Sequence, residues 1–243
     1  MKHLVRLVSL IALIALVSSC AFAEGASFDE LVAQRQELDR QLIAAEGFDS
    51  FTIGQGTFEV GVDLPAGSYR VESYVLTAIT VYEAEPIEEA APIAEYSVEQ
   101  KKPLEELVLA EGNVAVITGS QLTLTVLSVE GDPVAATVEE LQAQRQALTE
   151  QLKAAPDYTI LKSAHGTYTV GIDIPAGTYS TSKPPMTVVA IYNGDPHKDE
   201  NLVTMYTVTA KEPVEKLELE EGLILLIDGM TEIEISTYIG LGF

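Results

Sequence analysis

Apolar residues recur along this chain with two different periods, and the periods take turns. Over Phe28, Leu31, Arg35, Leu38 and Leu42, and again over Val138, Leu141, Arg145, Leu148 and Leu152, the spacing of three and four residues marks one face of a helix. Ser27-Phe-Asp-Glu30 and Thr137-Val-Glu-Glu140 read as capping boxes before these runs, and Gly47 and Pro156 as their stops. Two heptads with an arginine at a central position are too short to hold a coiled coil alone. Each helix is therefore expected to dock its leucine stripe on its own β-domain or on the sister helix. Gln34–Gln36 and Gln144–Gln146 are placed on the solvated rim.

After each helix the period drops to two. Strands are predicted near 51–53, 57–60, 68–73, 76–83, 94–98, 104–109, 113–118 and 122–129, and a second series follows. Glu232-Ile-Glu-Ile-Ser236 alternates cleanly and has one wet face, whereas Leu223-Ile-Leu-Leu-Ile227 is apolar throughout and belongs in the centre of a sheet. Short strands with Gly and Pro turns at this density predict a mainly β fold: two tandem antiparallel β-sandwich or jelly-roll-like domains, each preceded by a short amphipathic helix.

The second series is the first one displaced. Asp63 and Asp173 lie 110 residues apart, and the same offset relates Gln34-Arg-Gln36 to Gln144-Arg-Gln146, Tyr82 to Tyr192, Tyr96 to Tyr206 and Gly119 to Gly229, without insertion or deletion. The chain thus divides into a leader and two units, residues 27–133 and 137–243, each of ordinary domain size. Glu130-Gly-Asp-Pro133 is the linker.

The strongest local signal is Gly56-Thr-Phe-Glu-Val-Gly-Val-Asp-Leu-Pro-Ala-Gly-Ser-Tyr69 and its twin Gly166-Thr-Tyr-Thr-Val-Gly-Ile-Asp-Ile-Pro-Ala-Gly-Thr-Tyr179. Each is expected to be a hairpin. Pro65 and Pro175 would set the turn, Gly67 and Gly177 would take φ > 0, and Asp63 and Asp173 would bond backbone N–H groups two residues on. This run resembles a repeat of exported proteins and lipoproteins of Gram-positive bacteria, often found in tandem. The resemblance implies β-structure and a surface location, attaches no enzymatic activity, and carries no catalytic residue over.

The N-terminus agrees with export. Lys2 and Arg6 precede an apolar run, Leu7 to Val17, which is too short for a membrane span and fits a secretory signal. Two processing routes stay open. Ala21-Phe-Ala23 is an A-x-A site, which makes residues 1–23 the signal peptide; Val17-Ser-Ser-Cys20 resembles a lipobox, which ends it at residue 19. In the second case Cys20, the chain's one cysteine, is the lipidated residue and anchors the protein to the outer face of a membrane.

Charge narrows the partners. With 14 Lys+Arg against 37 Asp+Glu the net charge is −23, and loss of Lys2 and Arg6 takes it to −25. Such a surface repels nucleic acid and anionic headgroups. No metal site is expected, because no acidic loop has calcium-ligand spacing, and no cofactor is expected. No nucleophile elbow, zinc motif or Cys–His pair is present, and the histidines His165 and His197 have no histidine twin. The catalytic assignment is therefore none.

The functional expectation is a non-enzymatic exported binding or spacer protein. The alternative is a carbohydrate- or cell-wall-binding module, for which Tyr82, Tyr96, Tyr192 and Tyr206 are the ligand-contacting candidates, and the remote alternative is a hydrolase subunit using clustered carboxylates. Expected partners are an envelope protein or glycan, a membrane only through the lipid anchor, and a second chain through the helices. The divergent segments 83–95 and 193–205 are candidate binding tips.

Overall fold

A computed structural model of the chain describes residues 26–84 and 91–243. The segment expected to be a signal, Cys20 and part of the first divergent tip lie outside the described residues. Among the described residues two α-helices and fourteen strands follow one another as helix, eight strands, helix, six strands, with a short 3-10 turn at Asp199–Asn201. The fold is mainly β, in two antiparallel units, each preceded by its helix.

Helix α1 (Phe28–Ala44) and helix α2 (Val138–Ala154) both start on complete capping boxes: Ser27 and Thr137 accept from the N–H of Glu30 and Glu140, whose carboxylates accept from the cap N–H in return. The helices pack on each other in antiparallel fashion. Leu31 at the start of α1 meets Leu148 and Leu152 at the end of α2, and Leu42 meets Leu141. Of the two docking surfaces expected, the sister helix takes most of the leucine stripe.

In the first copy, strands β1 (Ser50–Ile53), β3 (Gly67–Ser73), β6 (Leu104–Leu109) and β8 (Leu122–Val129) form one sheet in the order β1-β8-β3-β6. Strands β2 (Gly56–Glu59), β4 (Thr77–Tyr82), β5 (Ala94–Val98) and β7 (Val114–Thr118) form the other, in the order β2-β7-β4-β5. All but one of the strand-to-strand connections change sheet, β4–β5 being the hairpin. The inner faces bury Phe51, Phe58, Tyr69, Val71, Ile79, Leu109, Ile117 and Leu124. Each such side chain contributes roughly 1.5–3 kcal/mol, so packing rather than surface charge holds the sandwich together.

The second copy uses the same residues with fewer interruptions. Strand β9 (Ile160–Thr169) runs through where the first copy has β1 and β2, and β14 (Ile224–Thr237) runs through where it has β7 and β8. β14 pairs with β9 along both halves, with an irregularity between Asp228 and Ile233. It also pairs with β11 (Thr187–Tyr192) near its start and with β10 (Gly177–Thr181) near its end. β12 (Leu202–Val208) lies outside β11, and β13 (Leu217–Leu219) outside β10. Leu225 and Ile227 are fully enclosed at the centre of this sheet, as their apolar run requires.

Candidate functional site

The signature run is not a hairpin. β2 pairs with β7 and β3 pairs with β8 and β6, so residues 60–66 turn a corner from one sheet to the other. The physical devices also differ from those expected. The left-handed residue is Gly61 (φ +96), matched by Gly171 (φ +88), which lets the chain fold back so that Gly61 N–H donates to the Leu64 carbonyl and Gly171 N–H to that of Ile174. Gly67 has no positive φ; it is glycine because a Cβ there would stand 2.2 Å from the Ser128 carbonyl oxygen. Gly177 has φ +154 and open surroundings.

Asp63 and Asp173 bond backward rather than forward. Their carboxylates accept from the N–H groups of Glu59 (2.9 Å) and Thr169 (2.8 Å), four residues earlier. The final tyrosine of the run closes the corner: Tyr69 and Tyr179 donate through their hydroxyls to the carbonyls of Pro65 (2.6 Å) and Pro175 (2.7 Å). Burial raises the pKa of both phenols above the ordinary value, so both keep the proton they donate here.

The two corners meet different surroundings. Asp63, Pro65, Ala66 and Gly67 are buried, whereas Asp173, Pro175, Ala176 and Gly177 are exposed. Asp63 is the first contact between the copies: Lys216 Nζ donates to its Oδ2 at 2.8 Å and the Tyr238 hydroxyl to its Oδ1 at 3.1 Å. Burial, and then the Asp63 charge, hold the Tyr238 pKa well above the ordinary phenol value. The twins of Lys216 and Tyr238 are Glu106 and Ser128, so Asp173 has no matching partners in the first copy.

A second contact sits between the helices. Asp39 is buried and pairs with Arg35 one turn earlier and with Arg145 Nε of the sister helix at 2.6 Å. Arg35 Nε donates to the Thr149 hydroxyl at 2.9 Å, and Thr149 is the twin of Asp39. Burial pulls the Arg35 pKa below its ordinary value, and Asp39 opposes that pull. The rim placement expected for these arginines is thus wrong for Arg35, because a carboxylate one helical turn away lets the guanidinium enter the seam.

The segment after β14 threads into this cluster. Leu241 N–H donates to Asp39 at 2.9 Å, and the Leu241 carbonyl accepts from Arg35 at 3.2 Å and from Arg145. Leu241 is buried in the first copy's core. Phe243 packs on Phe51 and Phe48 with ring centres 5.2 and 5.7 Å away, and the Arg145 guanidinium lies 4.5 Å above its ring.

A third contact fills the breaks in the first copy's strands. Gln55 donates its N–H to the Pro213 carbonyl and accepts from Glu215 N–H. Gln121 N–H and the Ser120 hydroxyl both reach the Lys211 carbonyl, and Glu215 accepts from the N–H groups of Gly54 and Gly242. Burial raises the Glu215 pKa, the two backbone donors opposing it.

The tyrosines singled out as ligand contacts, Tyr82, Tyr96, Tyr192 and Tyr206, are all half-buried, and Tyr96 and Tyr206 lie against their own cores. The structure does not gather them on one face. Among the described residues the exposed aromatic is Tyr74, at 57 %, in a cleft of about 260 Å³ with Glu72, Glu99, Gln100 and Pro103. Its twin is Pro184, so the repeat comparison gave no signal for it. A larger cleft of about 550 Å³ separates the first turns of α1 from the second copy's corner. His165 Nδ1 lies 3.0 Å from Asp228 on the open surface. Among the described residues no group of His, Cys, Asp and Glu converges as a metal site, and no helix is long and apolar enough to cross a membrane.

No family model and no curated protein matches this chain. Solved structures aligned to it include cAMP-bound PfPKA-R, at 7% identity and TM-score 0.23, covering 88% of this chain and 83% of that one. The exported protein XepA of PBSX aligns at 8% identity and TM-score 0.20, covering 77% and 81%. The 7S globulin of Momordica charantia aligns at 11% and 0.18, covering 77% and 70%. At such scores the architecture rests on its own strand order.

Proposed function

We propose that this protein is a non-enzymatic, exported binding or spacer protein of the cell envelope whose two repeats work as one rigid body. The observation that carries the reading is the interface between the copies. It fixes their relative orientation with a buried carboxylate at each of two points, Asp39 and Asp63, and with shared backbone bonds at a third. A pair of domains meant to close on a substrate keeps its interface open to movement; this one is closed by ion pairs on buried carboxylates at two points and by shared backbone hydrogen bonds at a third. The export signal, the resemblance to an envelope repeat and the charge of −23 support the location, with Cys20 as lipid anchor or residue 23 as the end of an ordinary signal.

The glycan-binding alternative gains its own support from Tyr74, whose exposed ring beside Glu72, Glu99 and Gln100 offers a sugar a flat face and acceptors. The same carboxylates are already matched, Glu72 with Arg70 at 2.7 Å and Glu99 with Lys102 at 2.8 Å, which weighs against acid–base work. Co-sedimentation of the mature chain with purified envelope fractions tests the reading. Binding abolished by protease treatment of the wall identifies a protein partner. Saturable binding to protease-treated wall that is lost in Tyr74→Ala moves the assignment to glycan recognition. No binding to any fraction leaves the spacer role, read out by whether a radiolabelled fatty acid enters the chain but not its Cys20→Ala variant.

A further inference from the structure

We propose that the free edge of β12 pairs with β12 of a second molecule of this protein, antiparallel, about a two-fold axis at Met205. Among the described residues β12 is bonded on one side only, to β11, and is the outermost strand of its sheet. Its other side presents backbone N–H and C=O groups over seven residues without a charge, proline or glycine, Leu202-Val-Thr-Met-Tyr-Thr-Val208. Val203 and Met205 are each 57 % exposed.

The first copy shows the protected form of the same edge. Strand β5 holds the matching place in its sheet, and Glu95 stands where β12 has Met205. A two-fold axis at that point of β5 would set carboxylate against carboxylate, the like-charge pair that keeps edges apart. In β12 the same axis sets methionine on methionine, whose flexible thioethers adapt to each other. The change continues across the sheet. Met205, Ala190, Leu226 and Thr167 form one cross-strand row. The first copy's row is Glu95, Thr80, Val116 and Thr57. The row that reaches the open edge has thus lost its carboxylate and become more apolar.

Charge fixes the register and makes a second molecule of the same sequence the fitting occupant. An axis at Met205 places Val203 opposite Thr207 and Leu202 opposite Val208, and past the strand ends it brings Asp199 of each molecule against Lys211 of the other. Both of these side chains are exposed. Two complementary pairs therefore close the ends of a neutral strand, the place where chains of net charge −23 meet with least repulsion. Every strand pair in this sheet is already antiparallel, so the joint continues the pattern. An isologous joint of this kind closes on itself and stops at two molecules.

Sedimentation equilibrium of residues 24–243 over about 10–500 μM is expected to show monomer and dimer in exchange. Met205→Glu, which brings in the first copy's residue at an exposed position, is expected to weaken the dimer at least about tenfold while leaving the melting temperature unchanged. Asp199→Lys and Lys211→Asp should each run as monomers alone and form a one-to-one heterodimer when mixed, because the exchanged charges then match at both ends. Met205→Cys, the sole cysteine of this fragment, should oxidise to a cross-linked dimer, and Val108→Cys, exposed on the first copy, should not. A chain that stays monomeric throughout and gives no cross-link overturns the proposal. So does a dimer that survives Met205→Glu, since its joint lies on another face. Monomers whose β12 amides gain protection from exchange only on addition of an envelope fraction would give the edge to a partner's strand, and equally overturn a second molecule as its occupant.

Discussion

Two corners with the same sequence signature have opposite fates in this molecule. Asp63 lies under the other copy, with Lys216 and Tyr238 on its two oxygens; Asp173 does the same backbone work four residues back and faces solvent. The difference teaches that the signature encodes a corner between two strands that do not pair with each other, while docking is encoded elsewhere, at positions where the copies have diverged. Lys216 against Glu106, Tyr238 against Ser128 and Asp39 against Thr149 are the substitutions that make two similar units into an ordered pair.

That contrast can be broken in graded steps. The largest effect is expected for Asp39→Ala, which leaves two arginines in the seam without their carboxylate and should cost about 3–5 kcal/mol in denaturant unfolding. Thr149→Ala, its twin, should cost only about 1 kcal/mol. Equal losses would mean that the helix seam is symmetric after all. Next comes Asp63→Asn, expected at roughly 3 kcal/mol because Lys216 loses its partner within the interface, against about 1 kcal/mol for Asp173→Asn, where one backbone bond weakens. Double-mutant cycles with Lys216→Met should show coupling for Asp63 and none for Asp173.

Gly67→Ala should then cost roughly 2 kcal/mol by collision with the Ser128 carbonyl. Gly177→Ala meets no neighbour closer than 3.8 Å and pays only for its φ, about 1 kcal/mol. The finest probe is pH. Glu215 has a folded-state pKa raised above the ordinary 4.5, so the folded chain binds the extra proton. Its contribution is fully present below pH 4.5 and is lost as pH rises through the raised value. Glu215→Gln should flatten that part of the stability–pH curve; an unchanged slope would place Glu215 in water.

Much of the architecture was legible because it rests on local pattern. The capping boxes, the helix faces and most first-copy strand limits within a residue or two follow from periodicity and turn residues alone. The corner was misread for a reason equally local. A strand, a Pro-Ala-Gly step and a strand look alike whether the second strand returns along the first or crosses to the opposite sheet, and only non-local pairing with β7 and β8 decides. The buried Arg35 was illegible because arginine belongs outside until a carboxylate enters with it, and Asp39 sits on the same helix face one turn on. The interface had one faint signal, the loss of symmetry at positions 39, 216 and 238 inside an otherwise faithful repeat. The tyrosines were over-read, since repeated aromatics at strand positions serve the core first and the twin of the exposed Tyr74 is a proline.

The interrupted strands of the first copy carry a further consequence, in the order of events during synthesis. β9 and β14 of the second copy complete their own ladders, but the gaps at Gly54–Gln55 and Gly119–Gln121 are closed by residues 211–215, and the first copy's core closes over Leu241 and Phe243. A chain made from its N-terminus would ordinarily settle its first domain before its second. Here the last contacts of the half made first are supplied by the half made last.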